Sequence, residues 1–248
     1  RTSSTTPMTP TTVRTPRSII PLGDAAVYVE FSDVLDLDVN RAVQRLAKDL
    51  RALQTPWIVD VVPALGGVAL HFDADHPQIP MSPLQAASDL VRGCLDAESH
   101  APDVASRLVE VPICYDPEFG LDLAEVAGRL GLEPAEVARR HAAVEHRVLM
   151  VGFVPGHPYL GGLDPTLAVP RRTSPRAAVP AGSVAIANLQ TSIYPYAIPG
   201  GWSIIGRTPL KLFDVQRAEP ALLGPGDRVR FQPISLDEFG RLGAGSRR

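Results

Sequence analysis

Between Val151 and Asp214 a proline or a glycine falls every few residues, with short β-branched and apolar runs between them. Proline fixes φ and removes a backbone donor, while glycine opens positive φ. Such a stretch does not form helix, and it is too apolar for a disordered linker. It reads as short strands joined by fixed loops, and loops held on a rigid scaffold are where binding and catalytic groups concentrate.

The rest of the chain sets the frame. With 248 residues it has enough length for one or two domains and a sizeable core. Its formal charge of -3 gives no reason to expect nucleic-acid binding. No apolar run reaches the length of a membrane span. The start, residues 1–16, is rich in Thr, Ser, Pro and Arg without the apolar segment of a secretory signal, and reads as a flexible tail. Cys94 and Cys114 lack metal-type spacing and read as free thiols of a reducing, cytoplasmic compartment.

Patterning predicts two domains. Ile19–Leu22 and Ala25–Phe31 read as strands around a Gly23-Asp24 turn. Asp36 or Asp38 caps a helix over about 39–53, whose apolar set Val43, Leu46, Leu50 and Leu53 keeps helical spacing. Asn40 reads as a residue of that helix's surface. Strands 58–62 and 68–72 flank a Gly66-Gly67 hairpin turn, and Ser82-Pro83 opens a second helix to about Leu95. Strand, strand, helix, strand, strand, helix predicts a small α+β domain, assigned to residues 17–103, with a polar linker over 98–103. After it come a strand at 107–114 and two helices, 122–130 and 133–144. Asp122 with Glu125 gives the first a capping-box start, and Gly131 its stop. Strands at 147–153, 184–187, 203–206 and 229–234, with a further one at 212–215, suggest a β-barrel-like domain over 104–240 and a tail over 241–248.

No phosphate-binding loop and no dinucleotide fingerprint occurs. His141 and His146, five apart at a helix end, do not stack on one face and make no zinc motif. Ser183 lacks the second glycine of a nucleophile elbow. The candidates lie after Val151. Phe153, Gly156, His157 and Tyr159 share a rigid loop in which His157 can serve as acid, base or donor; the same loop also suits a barrel turn with an exposed histidine. Arg171, Arg172 and Arg176 suit bidentate binding of an anion, or salt bridges. Gln190, Thr191 and Tyr194 can hydrogen-bond a small polar ligand or satisfy backbone groups. Trp202 after two glycines supplies an aromatic wall, and Arg207 a cation at a strand end.

The segments GFVPGHPYLGGLDP, PRRTSPRAAVPAGSVAIANLQTSIYP and PGGWSIIGRTPLKLFD resemble the family of the 5-oxoprolinase B subunit, also called kinase inhibitor KipI or allophanate hydrolase subunit 1. The resemblance extends through VPICYDPEFGLDLAEVA and the Gly23–Ala25 and Asn40 regions, nearly the whole chain. It implies a cyclophilin-like β-barrel as the second domain. It also implies an allophanate hydrolase subunit 2-type sister, a third subunit, and ATP as co-substrate in opening the lactam of 5-oxoproline to glutamate. The older names imply two alternatives: a regulator docking on a sensor histidine kinase, and a carboxyl-transfer component using a biotinylated carrier. On this reading the catalytic candidates are Arg207, Gln190 and His157. Phe153, Gly156, Tyr159, Ser183, Tyr194, Trp202 and Arg172 are the substrate-binding ones, and no metal site is expected. Two positions depart from the family pattern. His157 stands where a phenylalanine is usual, and Ser192 stands where glycine is usual, so a positive φ is expected at Ser192.

Overall fold

The computed structural model describes residues 15–97 and 106–245. The chain divides into two compact units, residues 1–100 and 101–248. The linker expected over 98–103, with its boundary at 103/104, lies outside the described residues, as does nearly all of the tail expected over 1–16.

In the first unit β1 (Ser18–Pro21), β2 (Ala26–Glu30), α1 (Leu37–Ala52), β3 (Ile58–Pro63), β4 (Gly67–Phe72) and α2 (Pro83–Asp96) follow one another. The strands form an antiparallel sheet in the order β1-β2-β4-β3. Asp36 is the residue that caps α1: its carboxylate accepts from the N–H groups of Asp38 and Val39 at 2.7 and 3.2 Å, two donors that the helix start leaves unpaired. Val43, Leu46 and Leu50 fall on one face and are fully or almost fully buried against Val29, Val61, Val68 and Leu70. Burial of each such side chain is worth about 1.5–3 kcal/mol. Leu53, expected on that face, lies one residue past the helix and is exposed. Asn40 is not on the surface. It is fully buried, and its amide donates to the carbonyls of Ala64 and Leu65 at 3.2 and 3.0 Å, pinning the β3–β4 turn to α1.

The second unit starts with β5 (Leu108–Ile113), α3 (Leu123–Leu130), α4 (Pro134–Ala143), β6 (Glu145–Val151) and β7 (Pro158–Gly161). It continues with β8 (Arg176–Val179), β9 (Ser183–Ala187), β10 (Gln190–Ile193), β11 (Ile198–Gly200), β12 (Ser203–Arg207), β13 (Arg228–Pro233) and α5 (Leu236–Gly245). Seven strands form one sheet in the order β12-β9-β10-β7-β6-β13-β5, antiparallel except for β13 on β5. The sheet curls like a half-barrel until its first and last strands meet. Cys114, just past β5, and Arg207, at the end of β12, exchange backbone hydrogen bonds of 2.8 and 2.9 Å. Val111, Val148, Leu160, Ile186, Ile193, Ile205 and Phe231 fill the interior, joined by Leu123, Val126 and Ala127 of α3 and Val137 of α4. A separate two-stranded sheet, β8 paired with β11, lies over the other face of β9 and β12, where Val179 packs with Ala185, Ala187 and Ile204.

Three further expectations are corrected. Residues 212–215 form no strand; a single bridge, Phe213 to Ala221, stands there. Residues 241–245, expected in a tail, continue α5. Asp122 begins α3 without capping it, because its carboxylate is engaged elsewhere. Gly131 does end α3 in the left-handed region, at φ 66°.

Candidate functional site

Side chains alternate across a strand, so Gln190 and Ser192 of β10 face away from the half-barrel interior while Thr191 and Ile193 face into it. The outer face carries an aromatic group held by the β8–β11 strand pair: Tyr159, Tyr194 and Trp202, packed on Ala185, Ala187 and Ile204. Gly200 lets Tyr194 lie there, since a Cβ at that position would overlap the phenol ring. Ring centroids run from Phe153 to His157 at 5.8 Å, His157 to Tyr159 at 5.0 Å and to Tyr194 at 5.1 Å, and Tyr159 to Trp202 at 5.9 Å. Arg171 closes the series with its guanidinium 5.8 Å from the Trp202 ring centroid, within cation–π range.

The loop between β6 and β7 is shaped by two left-handed residues. Gly156 has φ 75°, and a Cβ there would come within 2.7 Å of Phe213 Cβ. Phe153 adopts φ 74° without being glycine, and the residue is 69% exposed. A bulky residue in this region is strained, and such strain is concentrated at ligand-handling loops. Ser192, where positive φ was expected, lies in the regular extended run of β10 instead.

His157 is 3% exposed, and its Nε2 lies 2.7 Å from Ser192 Oγ. Ser192 Oγ also lies 2.8 Å from the Pro158 carbonyl, which can only accept. One hydroxyl hydrogen satisfies both contacts in one way: Ser192 donates to Pro158, and His157 Nε2–H donates to Ser192. Nδ1 is then a bare acceptor, and it is buried with no partner. Burial lowers the imidazole pKa to about 4, so the ring is neutral at pH 7. Gln190 Nε2, a donor on the same face of β10, is also buried without a partner. These two atoms are hydrogen-bonding capacity that the fold itself does not use.

The other predicted residues go elsewhere. Arg172 donates to Asp122 at 3.0 Å and to Glu125 at 3.3 Å. Arg176 is bidentate on Asp122 at 2.8 and 2.6 Å, and the Ile204 N–H donates to the same carboxylate at 2.7 Å. The fork geometry expected to bind a ligand is thus spent on a buried carboxylate of this chain. Arg171 remains the member of the trio with no acid partner among the described residues. Arg207 and Ser183 are paired across β12 and β9 at the end where the sheet closes. Arg207 Nε donates to the Ala181 carbonyl at 2.7 Å, and its guanidinium lies 5.7 Å from the Phe119 ring centroid. Arg207 is therefore not part of the aromatic group.

The interior holds a second histidine site. His141 and His146, whose spacing does not stack them on one helix face, meet with ring centroids 5.0 Å apart because the chain reverses from α4 into β6. His141 Nδ1 lies 2.7 Å from Tyr115 Oη and Nε2 lies 3.1 Å from Thr191 Oγ1. Among the described residues no group of three or more His, Cys, Asp and Glu side chains is placed to hold a metal ion. No described helix is long and apolar enough to cross a membrane.

A curled half-barrel with an aromatic outer face, joined in one chain to a small α+β unit, defines a class. Residues 17–223 match the family described as carboxyltransferase domain, subdomain C and D. The urea amidolyase of K. lactis shares this fold with a TM-score of 0.73 at 21% identity, over 94% of this chain and 16% of that one. Nearer relatives are the 5-oxoprolinase B subunits of two bacteria. That of Bacillus subtilis is 40% identical over 88% of this chain and 93% of its own length, and that of Escherichia coli O157:H7 is 41% identical over 86% and 94%. The chain belongs to the family of 5-oxoprolinase B subunits.

Proposed function

We propose that this chain is a subunit of an ATP-dependent 5-oxoprolinase, which opens the lactam of 5-oxoproline to glutamate. The observation that carries the reading is the 40% identity to a 5-oxoprolinase B subunit over 93% of that protein's length. The chain acts in the cytoplasm with an allophanate hydrolase subunit 2-type sister and a third subunit, and its half-barrel is of the cyclophilin-like kind.

A lactam is a resonance-stabilised amide, so its carbonyl carbon needs activation. Transfer of the γ-phosphoryl group of ATP to the carbonyl oxygen releases ADP and makes that carbon electrophilic. Water adds there, the ring C–N bond breaks, and the nitrogen takes up a proton. A second water releases phosphate and leaves glutamate. The outer face of β10 supplies binding and orientation for these steps. Gln190 Nε2 donates to a substrate oxygen, His157 and Trp202 wall the ring, and Arg171 faces a carboxylate.

The test is 5-oxoproline-dependent ADP release by the reconstituted three-subunit assembly, with each subunit omitted in turn. Loss of turnover without this chain is expected, and undiminished turnover overturns the reading. Gln190→Ala is expected to lower kcat/KM by about tenfold to a hundredfold, the loss of one hydrogen bond to a buried group.

A further inference from the structure

Where the sheet closes, a groove of about 390 Å³ opens between the end of β12 and α5, lined by Arg207, Pro209, Leu210, Lys211 and Phe239 among others. Arg207 is fixed there on three sides. Its backbone is paired with Cys114, its Nε with the Ala181 carbonyl, and its guanidinium lies against Phe119, which stacks on Phe239 at 4.2 Å. Among the described residues neither terminal nitrogen of Arg207 has an acid partner. Lys211 adds a second cation, shared with Asp214 at 3.0 Å. Glu238 of α5 is turned to Ser235 and Arg241 and does not neutralise Arg207. A preoriented guanidinium with two free donors in a walled groove fits a tetrahedral or planar anion. The groove exceeds the size of a bare phosphate, and apart from Thr208 the side chains of its remaining wall are apolar or aromatic.

We propose that this groove is a separate binding site for a small organic phosphate, with the phosphate on Arg207 and a planar or apolar body against Pro209, Leu210 and Phe239. The site goes beyond the 5-oxoprolinase reading and does not depend on it, because binding is read on this chain without any partner.

The experiment is calorimetric titration of the full chain with AMP, adenosine and inorganic phosphate. AMP is expected to bind saturably, and more tightly than adenosine or inorganic phosphate. Arg207→Ala is expected to weaken AMP about tenfold or more, and Arg207→Lys, which keeps the charge but loses the fork, by less. Because Arg207 also sits at the seam of the sheet, Phe239→Ala is the second variant. It removes the aromatic wall from α5 and is expected to bring AMP down to the affinity of inorganic phosphate. Absence of saturable AMP binding overturns the proposal, and so does AMP affinity unchanged in folded Arg207→Lys and Phe239→Ala proteins.

Discussion

Thr191 and Ser192 are neighbours on β10, and each holds a histidine, one on either face of the same sheet. The inner arrangement is a closed relay. Thr191 donates to the Ala185 carbonyl, so His141 Nε2–H donates to Thr191, and His141 Nδ1 accepts from the Tyr115 hydroxyl. The outer arrangement repeats the first two links, with His157 to Ser192 to the Pro158 carbonyl, and then stops at an unpaired Nδ1. The same chemistry therefore serves two purposes. On the inside every valence of His141 is spent on tying α4 to β10 and to the segment after β5; on the outside one valence of His157 is left over beside an aromatic wall.

The largest effect that tests this comparison is acid sensitivity. Burial holds His141 well below the ordinary imidazole range and lowers His146 and His157 to about 4. In the unfolded chain each has a pKa near 6.5. Between about pH 6.5 and 4 the unfolded state therefore binds more protons than the folded one. Stability is full above pH 6.5 and is lost as pH falls toward 4, by roughly 3 kcal/mol for each of His146 and His157. These two losses together are comparable with the whole stability of a modest domain and His141 acts in the same direction, so unfolding near pH 4 is expected. Urea midpoints measured at stepped pH would check it. A flat profile from pH 7 to 4 would mean that these rings are not buried as neutral groups.

Next come two substitutions of about 3 kcal/mol each. His141→Leu leaves the Tyr115 hydroxyl buried without an acceptor, and that loss should be read in the urea midpoint at pH 7. Asp122→Ala strips the partner from Arg176 and from the Ile204 N–H at once. The Asp122 result also tests the assignment of the arginine trio. If Arg172 and Arg176 bind substrate rather than Asp122, the variant should keep its stability and its activity.

Local signals were legible and long-range pairings were not. The helix cap at Asp36, the stop at Gly131 and most strands of both units follow from spacing and turn chemistry within a few residues. Asp122 also carried a local signal, the acidic pair of a capping box, and there it misled. Its true partners are 50, 54 and 82 residues away in sequence. The same limit hid the meeting of His141 with Thr191, 50 residues on, and the direction of Arg207, which is set by the closing contact between β5 and β12. At the site, Gln190, His157, Tyr159, Tyr194 and Trp202 were found as residues of one Pro/Gly-shaped region, and the alternation of β10 and its neighbours gathers them. Arg172, Ser183 and Arg207 come from the same region of the sequence, and the fold places them outside the aromatic group. The signal that would have separated Arg172 was the pair of acids, Asp122 and Glu125, opening α3.

The smallest effect is the sharpest test of the outer histidine. His157 and Ser192, the two positions read from the sequence as departures from the family's phenylalanine and glycine, touch: the hydroxyl takes up the imidazole N–H. His157→Phe with Ser192→Gly exchanges both at once. Stability at pH 7 should stay within about 1 kcal/mol, because the exchange removes an unpaired Nδ1 along with the bond it loses. The acid profile should flatten by one histidine's share. If Nδ1 contacts substrate, KM for 5-oxoproline in the assembled enzyme should rise about threefold to tenfold with kcat unchanged, the signature of lost uniform binding. A collapse of kcat would instead make His157 a participant in the proton transfers. A stability loss near that of His141→Leu would erase the distinction between the two faces of β10.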